Sequence, residues 1–214
     1  MLSSSEILAR LSCKDDDAER LCIVPDPSER IAARAGASVD LRLGRWFKSF
    51  KQTRTKFVSL AGSAERRGSH APRKATRNEA LPTEASRTRE HFVPFGDSYV
   101  LHPGRFVLGA TLEWIKFPAT LAGYVTGKSG IGRHGLVIET AAGIHPFFSG
   151  CLTLELANIG EVPLEIFPGM EICQVFFHAT AAVADPNPGK FSGSRKPGLR
   201  TPKPDSVFER LREG

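Results

Sequence analysis

The stretch from residue 92 to residue 180 constrains the fold most, because it is a series of short apolar runs separated by turn residues. The runs are FVPFGDSYVLHPGRFVLGATLEWIKFP, LAGYVTGKSG, GLVIETAAGIHPFFSG, CLTLELANIG and VPLEIFPGMEICQVFFHAT. Pro-Gly pairs at 103–104 and 168–169, and glycines between the runs, are typical turn chemistry. None of the runs carries a helical period of useful length. Short strands at this spacing predict a mainly β protein, either a sandwich or a distorted barrel.

Three elements are predicted before this stretch. SSSEILARL, at residues 3–11, is typical of a short amphipathic helix with serines that can cap it and Glu6 in its first turn. LCIVP (21–25) and ASVDLRLGRWFKSF (37–50) have the apolar and partly alternating pattern of strands. Asp40 lies on the polar face of the second, where we expect a structural hydrogen-bonding residue and not a catalytic acid.

The 214 residues suit one domain with a sizeable core. The net charge is +6, and much of the excess lies in 51–90, where ten Lys and Arg face four Asp and Glu. That segment lacks the interleaved aromatic residues of a nucleic-acid surface, which favours a solvated loop. We therefore expect one β domain over 1–184, interrupted by a basic and partly disordered insertion at 51–91. Residues 185–214, rich in Pro and Gly, would form a C-terminal tail or lid.

The cysteines, Cys13, Cys22, Cys151 and Cys173, form no CxxC pair. Neither a secretory segment nor a membrane-spanning segment is apparent in the sequence. A reduced, cytoplasmic location without membrane attachment is the expectation that follows.

The tripeptide GKS at 127–129 resembles the end of a phosphate-binding P-loop. A P-loop requires a glycine five residues before Gly127, where Ala122 stands, and a helix directly after the serine. Glycines at 130, 132 and 135 instead disfavour a helix, by about 1 kcal/mol each. The P-loop interpretation therefore fails. A Lys, a Ser and an Arg with small residues between them remain, and they suit either an exposed basic turn or a phosphate site.

Glu155 lies in the middle of the strand candidate CLTLELANIG. Alternation puts Leu152, Leu154 and Leu156 on one face and Glu155 on the other. Such a glutamate either faces solvent or lines a pocket in which its pKa can be tuned. The pattern alone leaves both alternatives open.

The ordered set GKSGIGRHGL, TAAGIHPFFSG, LTLEL and PGMEICQVFF resembles the dCTP deaminase branch of the trimeric dUTPase-like superfamily. SSSEILARL, ASVDLRLG, YVLHPGRFVLGATLEWIKFPATLAGYVTGKSG and the C-terminal GKFSGS lie where that family has similar segments. The resemblance covers most of the chain except 51–91 and the last dozen or so residues. It implies a dUTPase-like distorted β-barrel or jelly roll with a short N-terminal helix.

The resemblance also implies the roles of individual residues. Glu155 matches the catalytic glutamate that activates water for attack on C4 of cytosine, and Ser129 and Arg133 match catalytic residues around that water. The implied nucleotide-binding residues are Lys128, Ser129, Gly130, Ile131, Gly132, Arg133, Thr140, Ala141, Ala142, Gly143, His145, Thr153, Leu154, Gln174, Lys190 and Ser194. One carboxylate can serve hydrolytic deamination first as general base and then as general acid. Backbone amides through Arg133 would hold the triphosphate.

Cofactors and partners follow from the same resemblance. Mg²⁺ would arrive bound to the substrate triphosphate, and dTTP is a candidate inhibitor. The family deaminates without zinc, and in this sequence none of the six histidines begins an HxE motif and no CxxC is present. A homotrimer with active sites between subunits is implied, so Glu155 and Arg133 of one site need not belong to one chain.

Several positions depart from the family pattern. Gly130 replaces a second serine, Lys128 replaces a common arginine, and in the lid Phe191 and Ser194 replace Tyr and Gln. His145 stands where the superfamily has the aspartate that supports pyrophosphate release. This difference favours dCTP deamination with dUTP and ammonia as products. The alternatives are a dUTPase-like or bifunctional nucleotide diphosphatase, or a catalytically silent nucleotide-binding protein.

Overall fold

The computed structural model describes residues 1–14, 18–52, 87–138, 143–184 and 192–199, with positions 207, 210 and 211. The chain divides into two compact units. One comprises Met1–Ser49 with Glu90–Gly198, and the other Phe50–Arg89 with Leu199–Gly214. Most of the second unit, and with it most of the predicted insertion at 51–91, lies outside the described residues. The fold described below is that of the first unit.

The described helices are α1 Ser4–Leu11, α2 Ser28–Arg34 and α3 Ser129–Gly132. The first six strands are β1 Cys22–Val24, β2 Ser38–Arg42, β3 Trp46–Phe50, β4 Thr88–Phe92, β5 Tyr99–Leu101 and β6 Phe106–Lys116. The remaining described strands are β7 Leu121–Gly127, β8 Leu136–Ile138, β9 Gly143–Ile144, β10 Ser149–Asn158, β11 Leu164–Ile166 and β12 Glu171–Ala179.

In the described part of the chain these strands form three open sheets. The largest has the order β4-β3-β6-β10-β8, and β1 also pairs with β6. A four-stranded sheet has the order β2-β12-β7-β9, and β5 pairs with β11 in a separate ribbon. The mainly β prediction is confirmed, with open sheets in place of a closed barrel.

The N-terminal helix forms as predicted. The Ser3 hydroxyl accepts a hydrogen bond from the Glu6 amide, and the Glu6 carboxylate accepts one from the Ser3 amide at 2.8 Å, which completes a capping box. Ile7 is fully buried. The helix is thus fixed to the core through Ile7, with the half-buried Leu8 and Leu11 packed beside it.

Helix α2 is an element that the sequence pattern did not predict. It spans seven residues, of which only Ile31 is buried, so its apolar period is too short to recognise. Asp26 closes the turn before it by accepting hydrogen bonds from the amide and hydroxyl of Ser28. The helix carries Arg30 and Arg34 toward the end of β2.

The core lies between the two larger sheets. Leu152, Leu154 and Leu156 of β10 project into it, and so do Val39 and Leu41 of β2. The alternation predicted for both strands is therefore confirmed. Among the described residues, no helix is both long enough and apolar enough to cross a membrane.

Candidate active site

The GKS segment forms the end of β7 and a single turn of helix. The amides of Ile131 and Gly132 donate to the Lys128 carbonyl, and the Arg133 amide donates to the Ser129 carbonyl. Because these three amides bond inside the turn, the amides left to face a ligand are those of Ser129 and Gly130. That backbone amides through Arg133 hold phosphate stays a prediction.

The geometry after Ser129 also agrees with the rejection of a P-loop. Helix α3 is only four residues long and is followed at once by β8, whereas a P-loop continues into a full helix. A Cβ added at Gly130 or Gly132 would meet no atom within 4 Å, so both positions face open space. Ser129 and Arg133 are exposed beside them.

Lys128 belongs to an ion-pair network with Asp40 of β2 and Glu171, the first residue of β12. Its Nζ lies 2.8 Å from Asp40 Oδ2 and 3.0 Å from Glu171 Oε2. Arg34 Nη1 bonds to the same two oxygens, at 2.6 and 2.7 Å. Asp40 is therefore a structural hydrogen-bonding residue, as predicted, and it holds two cationic side chains together.

Ion pairing in this network shifts the pKa of Glu171 and of Lys128. The hydrogen bond from Arg34, assisted by Lys128, outweighs partial burial and lowers the pKa of Glu171 to about 2. Partial burial by itself lowers the pKa of Lys128, but the hydrogen bonds to Asp40 and Glu171 raise it overall. Glu171 and Lys128 are therefore both charged at neutral pH.

A buried carboxylate attaches α2 to the sheet beside this network. Glu113 of β6 is 0% exposed and accepts hydrogen bonds from the backbone amide and Nε of Arg42, at 2.7 and 2.9 Å. Arg30 Nη2 approaches the same carboxylate at 3.4 Å, and Arg30 Nη1 lies 3.3 Å from Glu171. A buried charge is tolerated only when it is paired in this way.

A cavity of about 250 Å³ opens between α2, β2 and the end of β7. Its polar lining comprises Ser4, Arg30, Arg34, Ser38, Asp40, Lys128 and Gln174. The Ser38 hydroxyl donates to Gln174 Oε1 at 3.2 Å, so the Gln174 amide nitrogen is the group that can donate to a ligand. The structure thus brings together Lys128 and Gln174, two of the predicted nucleotide-binding residues.

Glu155 lies elsewhere, on the half-buried outer face of β10 between β6 and β8. Thr153 shares that face. Leu154, by contrast, is 0% exposed and packs in the core, so its side chain cannot contact a sugar or a base. Only the backbone of Leu154 could therefore take the predicted part in nucleotide binding.

A bulge in β6 lies opposite Leu152, directly before Thr153 and Glu155 of β10, because residues 111–113 of β6 stand opposite that single residue of β10. The register with β6 shifts between Cys151 and Thr153, and the Leu152 amide donates to Thr111 Oγ1 at 2.9 Å in place of a ladder carbonyl. The Thr111 hydroxyl in turn donates to the Glu113 carbonyl at 2.8 Å. Bulges of this kind re-aim side chains next to active sites.

Part of the predicted lid packs along β10. The Cys151 amide donates to the Ser194 carbonyl at 2.8 Å, and the Gly198 amide donates to Thr153 Oγ1 at 3.4 Å. Gly150 permits this approach, because it has a φ of +149° and a Cβ there would lie 3.0 Å from the Ser194 oxygen. Ser194 is thus placed two positions from Thr153 along the strand.

Of the remaining predicted residues, some belong to the described part of the chain and others do not. Gly143 pairs with Tyr124 of β7, and His145 is exposed in the turn that follows β9. Thr140, Ala141, Ala142 and Lys190 lie outside the described residues, as does Phe191.

The predicted site therefore falls into two groups within one chain. Lys128 and Gln174 line the cavity, whereas Glu155 and Thr153 lie on the outer face of β10. Sequence reasoning missed Arg30, Arg34 and Glu171, the other charged members of the first group. The glutamate of PGMEICQ and the two arginines of SERIAAR were the available signals, but only the fold shows that they meet.

The described residues contain no group of three or more His, Cys, Asp or Glu side chains that could hold a metal ion. Asp40 and Glu171 are the carboxylates of the cavity region, and both are paired with Lys128 and Arg34.

The fold and the two groups of residues describe a β domain that combines a cationic cavity with a half-buried strand carboxylate. The family model described as dCTP deaminase-like matches residues 1–180. That match covers more than half of the chain, so the protein belongs to the dCTP deaminase-like family.

Two curated relatives show the same relationship. The chain is 35% identical over 198 residues to a protein of Corynebacterium diphtheriae named dCTP deaminase, dUMP-forming, covering 92% of this chain and 94% of the relative. It is 38% identical over 175 residues to a Parafrankia protein of the same name, with 80% and 77% covered.

A solved structure supports the fold. The crystal structure of 2'-deoxycytidine 5'-triphosphate deaminase from Agrobacterium tumefaciens matches with a TM-score of 0.56 and 18% identity. The match covers 84% of this chain and 48% of the Agrobacterium chain. At this identity the likeness concerns the fold alone.

Proposed function

We propose that this protein deaminates dCTP. The observation that carries the proposal is the relationship to proteins named dCTP deaminase, at 35% identity over more than nine-tenths of both chains. The family match over residues 1–180 includes Lys128, Glu155 and Gln174. A silent nucleotide-binding protein is the less favoured alternative, because Glu155, Ser129 and Arg133 are all present.

Glu155 is proposed to activate the water. One carboxylate takes a proton from water as it attacks C4, delivers a proton to the ring nitrogen, and then assists the departure of ammonia. Its half-buried position beside Thr153 supports this role, since partial removal from solvent helps to hold a carboxylate and a water in fixed geometry. Arg133 and Ser129 would orient the water and stabilise developing charge.

The assembly required by this mechanism is proposed as a homotrimer. Within one chain, Ser129 and Arg133 lie on the exposed turn between β7 and β8, and Glu155 lies on β10, the strand that pairs with β8. A site shared between subunits would join the turn of one chain to the β10 face of another. Mg²⁺ would enter with the triphosphate, since the cavity carboxylates are already paired with cations.

The end product is a separate question. His145, in place of an aspartate, led to the expectation that dUTP is released. The relatives are named dUMP-forming, and this favours the bifunctional alternative, in which a second water cleaves dUTP to dUMP and pyrophosphate. We therefore propose dUMP as the product to be tested first.

The test is to incubate the pure protein with dCTP and Mg²⁺ while ammonia, dUTP, dUMP and pyrophosphate are followed by chromatography. Ammonia release establishes deamination, and pyrophosphate released in equal amount establishes dUMP formation. Ammonia with dUTP alone would refute the dUMP proposal and restore the expectation drawn from His145.

Replacement of Glu155 by Gln should reduce ammonia release by at least about a thousandfold, while nucleotide-dependent thermal stabilisation remains. Glu165→Gln is the matched control, because Glu165 is a strand glutamate whose partner is the Ser98 hydroxyl, at 2.6 Å. Full turnover by Glu155→Gln would show that the proposed mechanism is wrong.

A further inference from the structure

We propose that Arg34 of α2, held in position by Arg30, binds the terminal phosphates of the substrate together with Lys128, and so selects a triphosphate over shorter nucleotides. The inference rests on the proposed function, which supplies the triphosphate. It adds residues that the sequence pattern did not indicate, on a helix that was not predicted.

The charge of the cavity lining supports an anionic ligand. The wall contains three cationic side chains, Arg30, Arg34 and Lys128, and only one carboxylate, Asp40. Gln174 adds an amide donor. Arginine is suited to phosphate because its planar group donates two parallel hydrogen bonds.

Two of the three cations, Lys128 and Arg34, are close enough to act on one ligand. Lys128 Nζ and Arg34 Nη1 lie within about 5.4 Å of each other, because each bonds to Asp40 Oδ2, at 2.8 and 2.6 Å. Two cations at this separation suit neighbouring phosphoryl groups of one chain. Arg34 is 55% exposed, so a ligand can reach it without rearrangement of the core.

The size of the cavity fits phosphate groups better than a whole nucleotide. Sites for entire small molecules occupy roughly 300–1,000 Å³, and this cavity has about 250 Å³. The sugar and base would therefore extend out of it, toward the surface where Ser129 and Gly130 are exposed.

Glu171 supplies the discrimination between long and short phosphate chains. Its Oε2 holds both Lys128 and Arg34 when no anion is present. An entering anion must compete with this carboxylate. A triphosphate can bridge both cations and displace it, whereas a single phosphate carries too little charge to do so.

Glu113 makes this arrangement rigid. Arg30 is bound between the fully buried Glu113 carboxylate and Glu171, at 3.4 and 3.3 Å. This contact fixes α2 against the sheet. The guanidinium of Arg34, one turn later, is thereby presented on the same side of the helix.

The probes for the test are inorganic tripolyphosphate, pyrophosphate and orthophosphate, titrated calorimetrically into the full-length protein. Wild type should bind tripolyphosphate most tightly. Arg34→Gln should weaken that binding by about tenfold, and Arg34→Lys should recover part of the loss. Glu171→Gln should strengthen it by about two- to fivefold, because the competing carboxylate is gone.

Arg10→Gln is the matched control. Arg10 also lies on a helix and forms an ion pair, with Glu19, but it does not line the cavity. Its tripolyphosphate affinity should remain within about twofold of wild type. Equal affinities of Arg34→Gln and Arg10→Gln, or weaker binding by Glu171→Gln, would overturn the proposal.

Ammonia release distinguishes this inference from the proposed function. If wild type binds tripolyphosphate through Arg34 but releases no ammonia from dCTP, the cavity assignment stands and the deaminase proposal fails. If wild type releases ammonia and Arg34→Gln has an unchanged KM for dCTP, deamination stands and the role of Arg34 is refuted.

Discussion

Asn158, at the end of β10, shows how a single polar side chain can be fixed in the core. It is 1% exposed, its amide nitrogen donates to the Leu101 and Val162 carbonyls at 2.8 and 2.9 Å, and its Oδ1 accepts from the Gly160 amide. The side chain thus closes the turn after β10 and links it to β5. A fully satisfied amide of this kind stabilises the fold, whereas an unsatisfied one is costly.

We expect Asn158→Asp to lower the free energy of unfolding by about 3 kcal/mol or more, because the carboxylate cannot donate to the two carbonyls. Urea unfolding at pH 7 measures the change. Asn158→Ala should cost less, since it leaves no buried charge beside those carbonyls. An aspartate variant as stable as wild type would contradict this account of the turn.

Glu171 leads to a prediction about pH. Its folded-state pKa of about 2 lies below the ordinary value of 4.5, so its ion pairs stabilise the fold fully above pH 4.5 and are lost as the pH falls toward 2. Glu171→Gln should therefore be less stable than wild type at pH 7, by about 1.5–3 kcal/mol. The difference between the two proteins should shrink steadily in unfolding experiments from pH 4.5 to pH 2.5.

At the scale of elements, β10 connects the core to the candidate catalytic residue. Its alternation places three leucines inside, and the bulge in β6 opposite Leu152 shifts the pairing of the part that follows. The Thr111 hydroxyl of β6 takes the place of a ladder carbonyl. It accepts a hydrogen bond from the Leu152 amide and donates one to the Glu113 carbonyl. The position of Glu155 therefore depends on a side chain in the neighbouring strand.

Thr111→Val should lower the free energy of unfolding by about 1–3 kcal/mol, because it leaves the buried Leu152 amide without its acceptor. It should also reduce the rate of ammonia release while the KM for dCTP changes little. Thr111→Ser retains the hydroxyl and is the matched control. Loss of stability without any loss of rate would mean that the bulge does not position Glu155.

Much of this architecture could be predicted from residues alone. The helix at SSSEILARL, the strand at 21–25 and the inward leucines of β10 follow from local patterns that tertiary packing does not override. Helix α2 was missed because one buried residue makes no period. The network of Arg34, Asp40, Lys128 and Glu171 was missed because its members are far apart in sequence, and only the pairing of β12 with β2 and β7 brings them together.

At the scale of the whole molecule, the proposed trimer has active sites between subunits, in which the turn at 129–133 of one chain meets Glu155 of another. Sites shared between subunits require one residue from each of two chains. If the proposal is right, an isolated chain would bind phosphate but would lack the complete catalytic site.

Mixing two inactive variants tests this arrangement. Glu155→Gln and Arg133→Gln should each be inactive alone. After random reassembly of equal amounts, the whole population of trimers should recover about a quarter of wild-type activity, since one site in four receives both intact residues. The subunits are exchanged by joint unfolding and refolding before ammonia release is measured. No recovery, with trimers confirmed by sedimentation, would place both residues of a site in one chain.

The contact between residues 192–198 and β10 also bears on how the protein avoids unwanted association. Strand β8 pairs with β10 only at Leu156–Asn158, and at Ser149 and Cys151 the backbone hydrogen bonds on that side go to Gly193 and Ser194. An uncovered strand edge is a template for pairing with a second molecule. A chain shortened to residue 191 should therefore expose backbone donors and acceptors along β10, and aggregation measured by light scattering should increase with protein concentration.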